Sequence, residues 1–191
     1  MPGSRRAAAG PLSVRLGTGC AAALLGAGLA AQALGASPPD PAAPRSISFH
    51  NMHTLETLTV SGWRDGAATA ETPRAVSHVL RDHRNGTEHA MDPALLDLLV
   101  EVAGACGVAA DYEVISGYRS PASNAAMHAR SSGVSEHSLH IQGRAIDVRL
   151  AGCPLETLRA IGLRLARGGV GYYPGSRFVH LDTGRVRSWS G

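Results

Sequence analysis

From Ile47 onward the hydrophobic pattern switches repeatedly between the period of a strand and that of a helix. Ile47 and Phe49, then Leu55, Leu58 and Val60, alternate with polar residues and predict a hairpin turning at Asn51-Met52-His53. A loop through Thr72 follows, and residues 73–83 suit a short helix. Met91-Asp92-Pro93 opens a longer helix, with Asp92 as N-cap and Pro93 in the first turn. Leu95, Leu96, Leu99, Val102 and Ala103 recur on one of its faces, and Cys106-Gly107 ends it. A short strand over 112–115 runs into Ser116-Gly117-Tyr118-Arg119-Ser120-Pro121. A helix over 123–129, a Ser/Gly loop to Ser138 and a strand over 144–150 come next. Residues 154–166 carry a helical stripe of Leu155, Leu158, Ile161, Leu163 and Leu165, and glycine-rich 168–173 leads to a final strand over 178–182. Helices and short strands mixed in this order predict one α+β domain over 47–191, without internal repeats.

The first 46 residues follow a different logic. Arg5, Arg6 and Arg15 precede an Ala/Leu/Gly stretch from Cys20 to Leu34, and Ala31-Gln32-Ala33 offers a small-residue cleavage site. Residues 1–36 are therefore expected to be a signal peptide, cut after Ala33 or Ala36, and 37–46 a Pro-rich tether. The mature protein is expected to be exported to the periplasm without a stable membrane span. Ser4-Arg5-Arg6 matches the start of a twin-arginine leader, although Ala7 and Ala8 stand where a more hydrophobic residue is usual.

The leader also changes the charge balance. The full chain has 18 basic and 15 acidic residues. Removing the three leader arginines leaves the mature chain formally neutral, which argues against nucleic acid as a partner. Cys106 and Cys153 remain after cleavage, an even pair open to either a disulfide or two buried thiols.

The chemistry concentrates in His140-x-x-Gly143-x-Ala145-x-Asp147 and Phe178-Val179-His180-Leu181-Asp182. A catalytic zinc takes about three His or carboxylate ligands and keeps one position open for water. In the strand over 144–150, Ile146, Val148 and Leu150 face the core and Ala145 and Asp147 face away. In the last strand Val179 and Leu181 face the core, which puts Phe178, His180 and Asp182 on the other side. Gly143 lets the chain change direction between His140 and Asp147. His50, His53, His78, His83, His89 and His128 have no partner at ligand spacing and are read as surface or hydrogen-bonding residues; His137, close to His140, is placed either at the lining of the site or, by preference, in a structural role. There is no Gly-x-Ser-x-Gly elbow, and neither mature cysteine adjoins a histidine, which disfavours nucleophilic serine or cysteine chemistry.

Ser138-x-His140-x-x-Gly143-x-Ala145-x-Asp147, Ser116-Gly117-Tyr118-Arg119-Ser120 before it and Phe178-Val179-His180-Leu181-Asp182 after it resemble the lysostaphin/D-Ala-D-Ala-peptidase superfamily of zinc peptidases, and within it an exported branch of murein endopeptidases. The resemblance covers nearly all of the mature chain. It implies a small antiparallel sheet flanked by helices and one Zn²⁺ held by His140, Asp147 and His180. It also implies peptidoglycan stem-peptide cross-links as substrate, with Arg119 beside the substrate carbonyl and Tyr118 and Ser138 at the substrate. Many relatives place a carboxylate three residues before the last His as general base, whereas this chain has Arg177 there, which cannot accept a proton. Asp182 and Glu136 are the carboxylates expected to replace it, Asp182 alternatively as a partner that orients a histidine. The rival expectations are a D,D- or L,D-carboxypeptidase and a non-catalytic, zinc-stabilised wall-binding module.

Overall fold

The computed structural model describes residues 45–63, 72–131 and 133–191. The expected leader and most of the tether lie outside the described residues, as does most of the loop after the first hairpin.

β1 (Arg45–Asn51) and β2 (Thr57–Trp63) form the predicted hairpin, with Ile47 opposite Val60 and Phe49 opposite Leu58. Asn51 holds the turn, because its side-chain oxygen accepts the backbone N–H groups of His53 and Thr54. Its amide group donates to the Val79 carbonyl at the end of α1 (Thr72–Val79). Leu55 leaves the expected alternation: it lies in the turn at φ 61° and is 81% exposed, so the inward face resumes only at Leu58.

α2 (Pro93–Cys106) begins as its sequence dictates, the Asp92 carboxylate accepting the Ala94 N–H, and ends at Gly107 in the left-handed region. After it come β3 (Ala110–Ser116), α3 (Pro121–His128), a 3-10 turn (Leu139–Gln142) and β4 (Ala145–Leu150). α4 (Leu155–Leu165), β5 (Gly169–Tyr173), β6 (Phe178–Asp182) and β7 (Arg187–Ser190) complete the order. On α4 Leu158 and Ile161 are buried while Leu163 is 38% exposed, since it falls off the stripe that a 3.6-residue period keeps inward.

One seven-stranded sheet results, in the order β2-β1-β3-β4-β6-β5-β7. It is α+β and mostly antiparallel, with β1 parallel to β3 and β5 parallel to β7. The assignments of β5 and β7 correct the sequence reading, which made 168–173 a connector and 178–182 the final strand. Glycine weakens strand propensity, yet these glycines have steric reasons. A Cβ at Gly169 would fall 2.4 Å from an Asp182 carboxylate oxygen, and one at Gly171 2.7 Å from the Trp189 ring.

α2 packs on β1, β3 and α4, and α4 packs on β4, β5 and β6. The core between helices and sheet contains Phe49, Leu95, Leu99, Tyr112, Ile146, Leu158 and Leu181, all essentially inaccessible to water. The buried Tyr112 hydroxyl donates to the Leu99 carbonyl of α2, so it costs no lost hydrogen bond. Cys106 at the end of α2 is disulfide-bonded to Cys153 in the turn after β4. No helix among the described residues is long and apolar enough to cross a membrane.

Candidate metal centre

The face of the sheet opposite α4 carries the expected cluster. β4 and β6 pair in a register that sets Asp147 directly across from His180 and Ala145 across from Asp182. His140 enters from the 3-10 turn, whose N-terminus is capped by the Ser138 hydroxyl and whose end is Gly143 in the left-handed region, φ 66°. Gly143 thus makes the change of direction expected of it. A Cβ there would also lie 2.3 Å from the Ala90 carbonyl oxygen. The turn is tied to the Ser116–Pro121 segment by two bonds. The Arg119 N–H donates to the His140 carbonyl, and His140 Nδ1 meets the Gly117 carbonyl at 2.7 Å.

Hydrogen-bond chemistry fixes both imidazoles. A carbonyl only accepts, so His140 Nδ1 carries the proton and Nε2 presents its lone pair. On the other ring, Nε2 lies 3.0 Å from the Asp182 carboxylate and donates to it, which makes Nδ1 the lone-pair atom of the neutral ring. Those two lone-pair atoms are 3.2 Å apart, and Asp147 Oδ1 is 2.8 Å from His180 Nδ1 and 3.4 Å from His140 Nε2. With the His180 ring neutral, three acceptors converge in a buried site and repel one another unless a cation, whether a proton on Nδ1 or a metal ion, lies between them. Tetrahedral zinc with bonds of about 2.0–2.1 Å separates its ligand atoms by about 3.3 Å, so the spacing and the donor set both fit the ion. Among the described residues this is the cluster of three or more His, Cys, Asp and Glu side chains able to hold a metal.

Protonation in the metal-free protein shows the same conflict. Burial pushes His140 below its ordinary value. Burial would do the same to His180, but the Asp147 and Asp182 carboxylates outweigh it and raise that ring to about 9. Asp147, which burial alone would raise, is held well below the usual carboxylate range by the two histidines.

The cluster lies at a cleft of about 480 Å³ whose walls include Arg119, His137, Ser138, Tyr173, Phe178 and Trp189. Arg119 is almost wholly buried, with one terminal nitrogen 3.3 Å from the Asn124 side-chain oxygen and the other 3.9 Å from Asp147. Its Nε–H has no partner among the described residues. Asn124 also donates to the carbonyls of Ser135 and Glu136, linking Arg119 to the loop that bears His137. Beneath Arg119, the fully buried Asp82 accepts both the N–H and the hydroxyl of Ser120. Burial would raise the Asp82 carboxyl, but the Ser123, Ser120 and Arg84 hydrogen bonds lower it to about 2. No periodicity in the sequence distinguished Asp82 or Asn124.

Several expected site residues are placed elsewhere. The buried Tyr118 ring stacks on His89, and Tyr118 is not part of the cleft wall, because it points back toward the segment preceding α2. Ser138 does line the cleft, besides capping the His140 turn. Glu136 is exposed and lies off the wall. Asp182 is behind His180, completely buried, its oxygens accepting from His180, Arg187 and the Gly169 and Gly184 amides. His137 is on the wall, the less favoured of the two places the sequence left open for it. The remaining histidines stay outside the cluster: His50 pairs with Asp111, His78 with Glu56 and Glu88, and His53 stacks on His83.

Residues 40–189 match the family model described as peptidoglycan L,D-endopeptidase MepK. The chain is 40% identical over 149 residues to a Haemophilus influenzae protein named "Probable peptidoglycan L,D-endopeptidase MepK", a match covering 78% of this chain and 80% of that one. It is 38% identical over 146 residues to the peptidoglycan L,D-endopeptidase MepK of Escherichia coli K12, covering 76% and 80%. No solved structure gives a significant match.

Proposed function

The chain belongs to the MepK family of peptidoglycan L,D-endopeptidases, and from that premise we propose that it is a zinc-dependent endopeptidase hydrolysing L,D cross-links between peptidoglycan stem peptides. The observation that carries this reading is the convergence of two tautomer-locked imidazoles and a carboxylate at the spacing of a tetrahedral ion, on the wall of an open cleft. His140 Nε2, Asp147 Oδ1 and His180 Nδ1 are the ligand atoms. A bound zinc supplies Lewis acidity, lowering the pKa of a water and polarising the scissile carbonyl.

The chain's own groups do the rest. Gly117 and Asp182 keep the protons of His140 and His180 on the nitrogens that face away from the ligand cluster. Arg119, a cation partly stripped of water and fixed by Asn124, donates to the oxygen that gains charge as the peptide carbonyl is attacked. Asp182 is enclosed behind His180 and acts as its orienting partner, so the proton is taken by another group. The His137 imidazole lines the cleft, and its ring has no partner among the described residues. It takes the proton and returns it to the leaving amine. The protein works outside the cytoplasm, as the leader composition and the Cys106–Cys153 bridge both favour.

The test is digestion of purified cross-linked muropeptides, with products resolved by mass. Conversion of L,D-linked dimers to monomers is expected, and its loss in His140→Ala along with about one bound zinc per chain. Monomers losing a terminal alanine would identify a carboxypeptidase, and unchanged dimers a binding module.

A further inference from the structure

One wall of the cleft has an unused donor. Tyr173, at the end of β5, stacks on Phe178 of β6 with ring centroids 4.5 Å apart. Its hydroxyl oxygen is 2.8 Å from Trp189 Nε1 of β7. An indole N–H can only donate, so the phenol oxygen is the acceptor in that bond and its own O–H proton is still to be given. Among the described residues nothing accepts it. A structural tyrosine inside a fold normally finds an acceptor for that proton, as Tyr112 does at the Leu99 carbonyl.

Trp189 is held so that its N–H sets the direction of the phenol. The ring lies over Gly171, where any Cβ would collide with it. Its centroid is 5.1 Å from that of His180, and the Arg187 guanidinium is 4.9 Å from it on a side where Arg187 is itself anchored to Asp182. Tyr173 and Trp189 both line the cleft beside the ligand cluster, as Arg119 does. Two donors without acceptors, Arg119 Nε and the Tyr173 hydroxyl, therefore belong to residues of one cleft wall.

We propose that Tyr173 is a further catalytic residue, its phenol donating a hydrogen bond to an oxygen of the peptide bound in the cleft, and that Trp189 is the positioning residue that aims it. This rests on the peptidase reading for the identity of the substrate, a peptide whose carbonyl or carboxylate oxygens accept the bond. The hydroxyl needs to transfer no proton; it supplies a fixed dipole where water would otherwise have to reorient.

Tyr173→Phe keeps the stack on Phe178 and removes one oxygen. It is expected to retain the native melting temperature and zinc content while losing on the order of 10²-fold in kcat/KM on cross-linked muropeptides. Calorimetric titration of the metal-loaded protein with the un-cross-linked stem-peptide monomer, which offers no cross-link to cut, should show binding weakened by about three- to tenfold. Trp189→Phe, which keeps a ring and loses the N–H, should cost less than Tyr173→Phe, and should cost almost nothing further when added to it. A Tyr173→Phe protein within twofold of native in both turnover and titration would overturn the catalytic role, and fully additive costs would overturn the positioning role of Trp189. If the native protein cut no cross-link, the peptidase reading would fall, and the titration would still decide whether Tyr173 touches the peptide.

Discussion

Replacing Asp182 by Asn separates two roles that a carboxylate beside a proposed zinc ligand can have. All five neighbours of the Asp182 oxygens are donors: His180 Nε2 and one Arg187 nitrogen at Oδ2, and the Gly169 amide, the Gly184 amide and the other Arg187 nitrogen at Oδ1. An amide has a single acceptor oxygen. Placed at the Oδ1 position it keeps three bonds and loses two; placed at Oδ2 it loses three. The first arrangement is favoured and costs about 2–3 kcal/mol of stability, from two buried bonds at about 1–1.5 kcal/mol each. It also turns an NH₂ group toward His180 Nε2, which drives the imidazole proton to Nδ1, the atom needed by the metal. Zinc affinity of Asp182→Asn is therefore expected to fall by about 100-fold, the upper end of the range for such outer partners. Competition against a zinc-buffering chelator measures this, and muropeptide turnover at saturating zinc should return to within a few-fold of native. Unchanged affinity with turnover down by about 10²–10⁴ at full occupancy, the mark of a missing general base, would refute the argument and restore Asp182 as the proton acceptor.

The bridge between Cys106 and Cys153 closes a separation of 47 residues, worth about 4 kcal/mol in the chain-entropy model; thiol labelling of the denatured, unreduced protein should find neither cysteine, and the double Ser variant should unfold at markedly lower urea. Asp82, depressed from 3.8 to about 2, adds stability that is complete above about pH 4 and disappears as pH falls through about 2. Asp82→Asn should thus be weaker by about 2 kcal/mol at neutral pH and converge with native toward pH 2, read from urea midpoints across that range; parallel curves would contradict it. Gly143→Ala combines a positive φ with a Cβ 2.3 Å from the Ala90 carbonyl, so it should cost at least about 3 kcal/mol or displace His140 and its metal; native-like melting and zinc content would show that the turn yields more easily than argued.

The clustering of His140, Asp147 and His180 was legible in the sequence because each part of it obeys a local rule. Asp147 and His180 lie on strands whose alternation states which side chains share a face, and Gly143 marks the turn that brings His140 over them. The cleft wall was not legible, since it depends on pairing between strands rather than on any one strand. β5 is too rich in glycine to look like a strand, and Trp189 acquires its place only because Gly171, eighteen positions earlier, leaves room for the ring. Tyr118 is off the cleft wall for a related reason. The resemblance implied a place for it at the substrate, but successive residues of an extended turn point in opposite directions, and the Tyr118 ring stacks on His89. Asp182 was placed on the correct face; its enclosure by Arg187 and two amides came from segments that carry no recognisable signal.

β4 and β6 are the fourth and fifth strands of seven, each hydrogen-bonded along both sides to other parts of the protein. Their shape is set by the sheet, the helical layer and a covalent cross-link, none of which includes an ion. This is the reverse of a zinc finger, where the metal is the core and its loss is unfolding. Here a chelated chain should keep slow amide exchange through both ligand-bearing strands and remain a durable, silent form of the enzyme. Its recovery should be limited only by how fast an ion arrives, with no refolding phase, so that the supply of metal would grade cleavage of the wall reversibly, like a dimmer rather than a fuse.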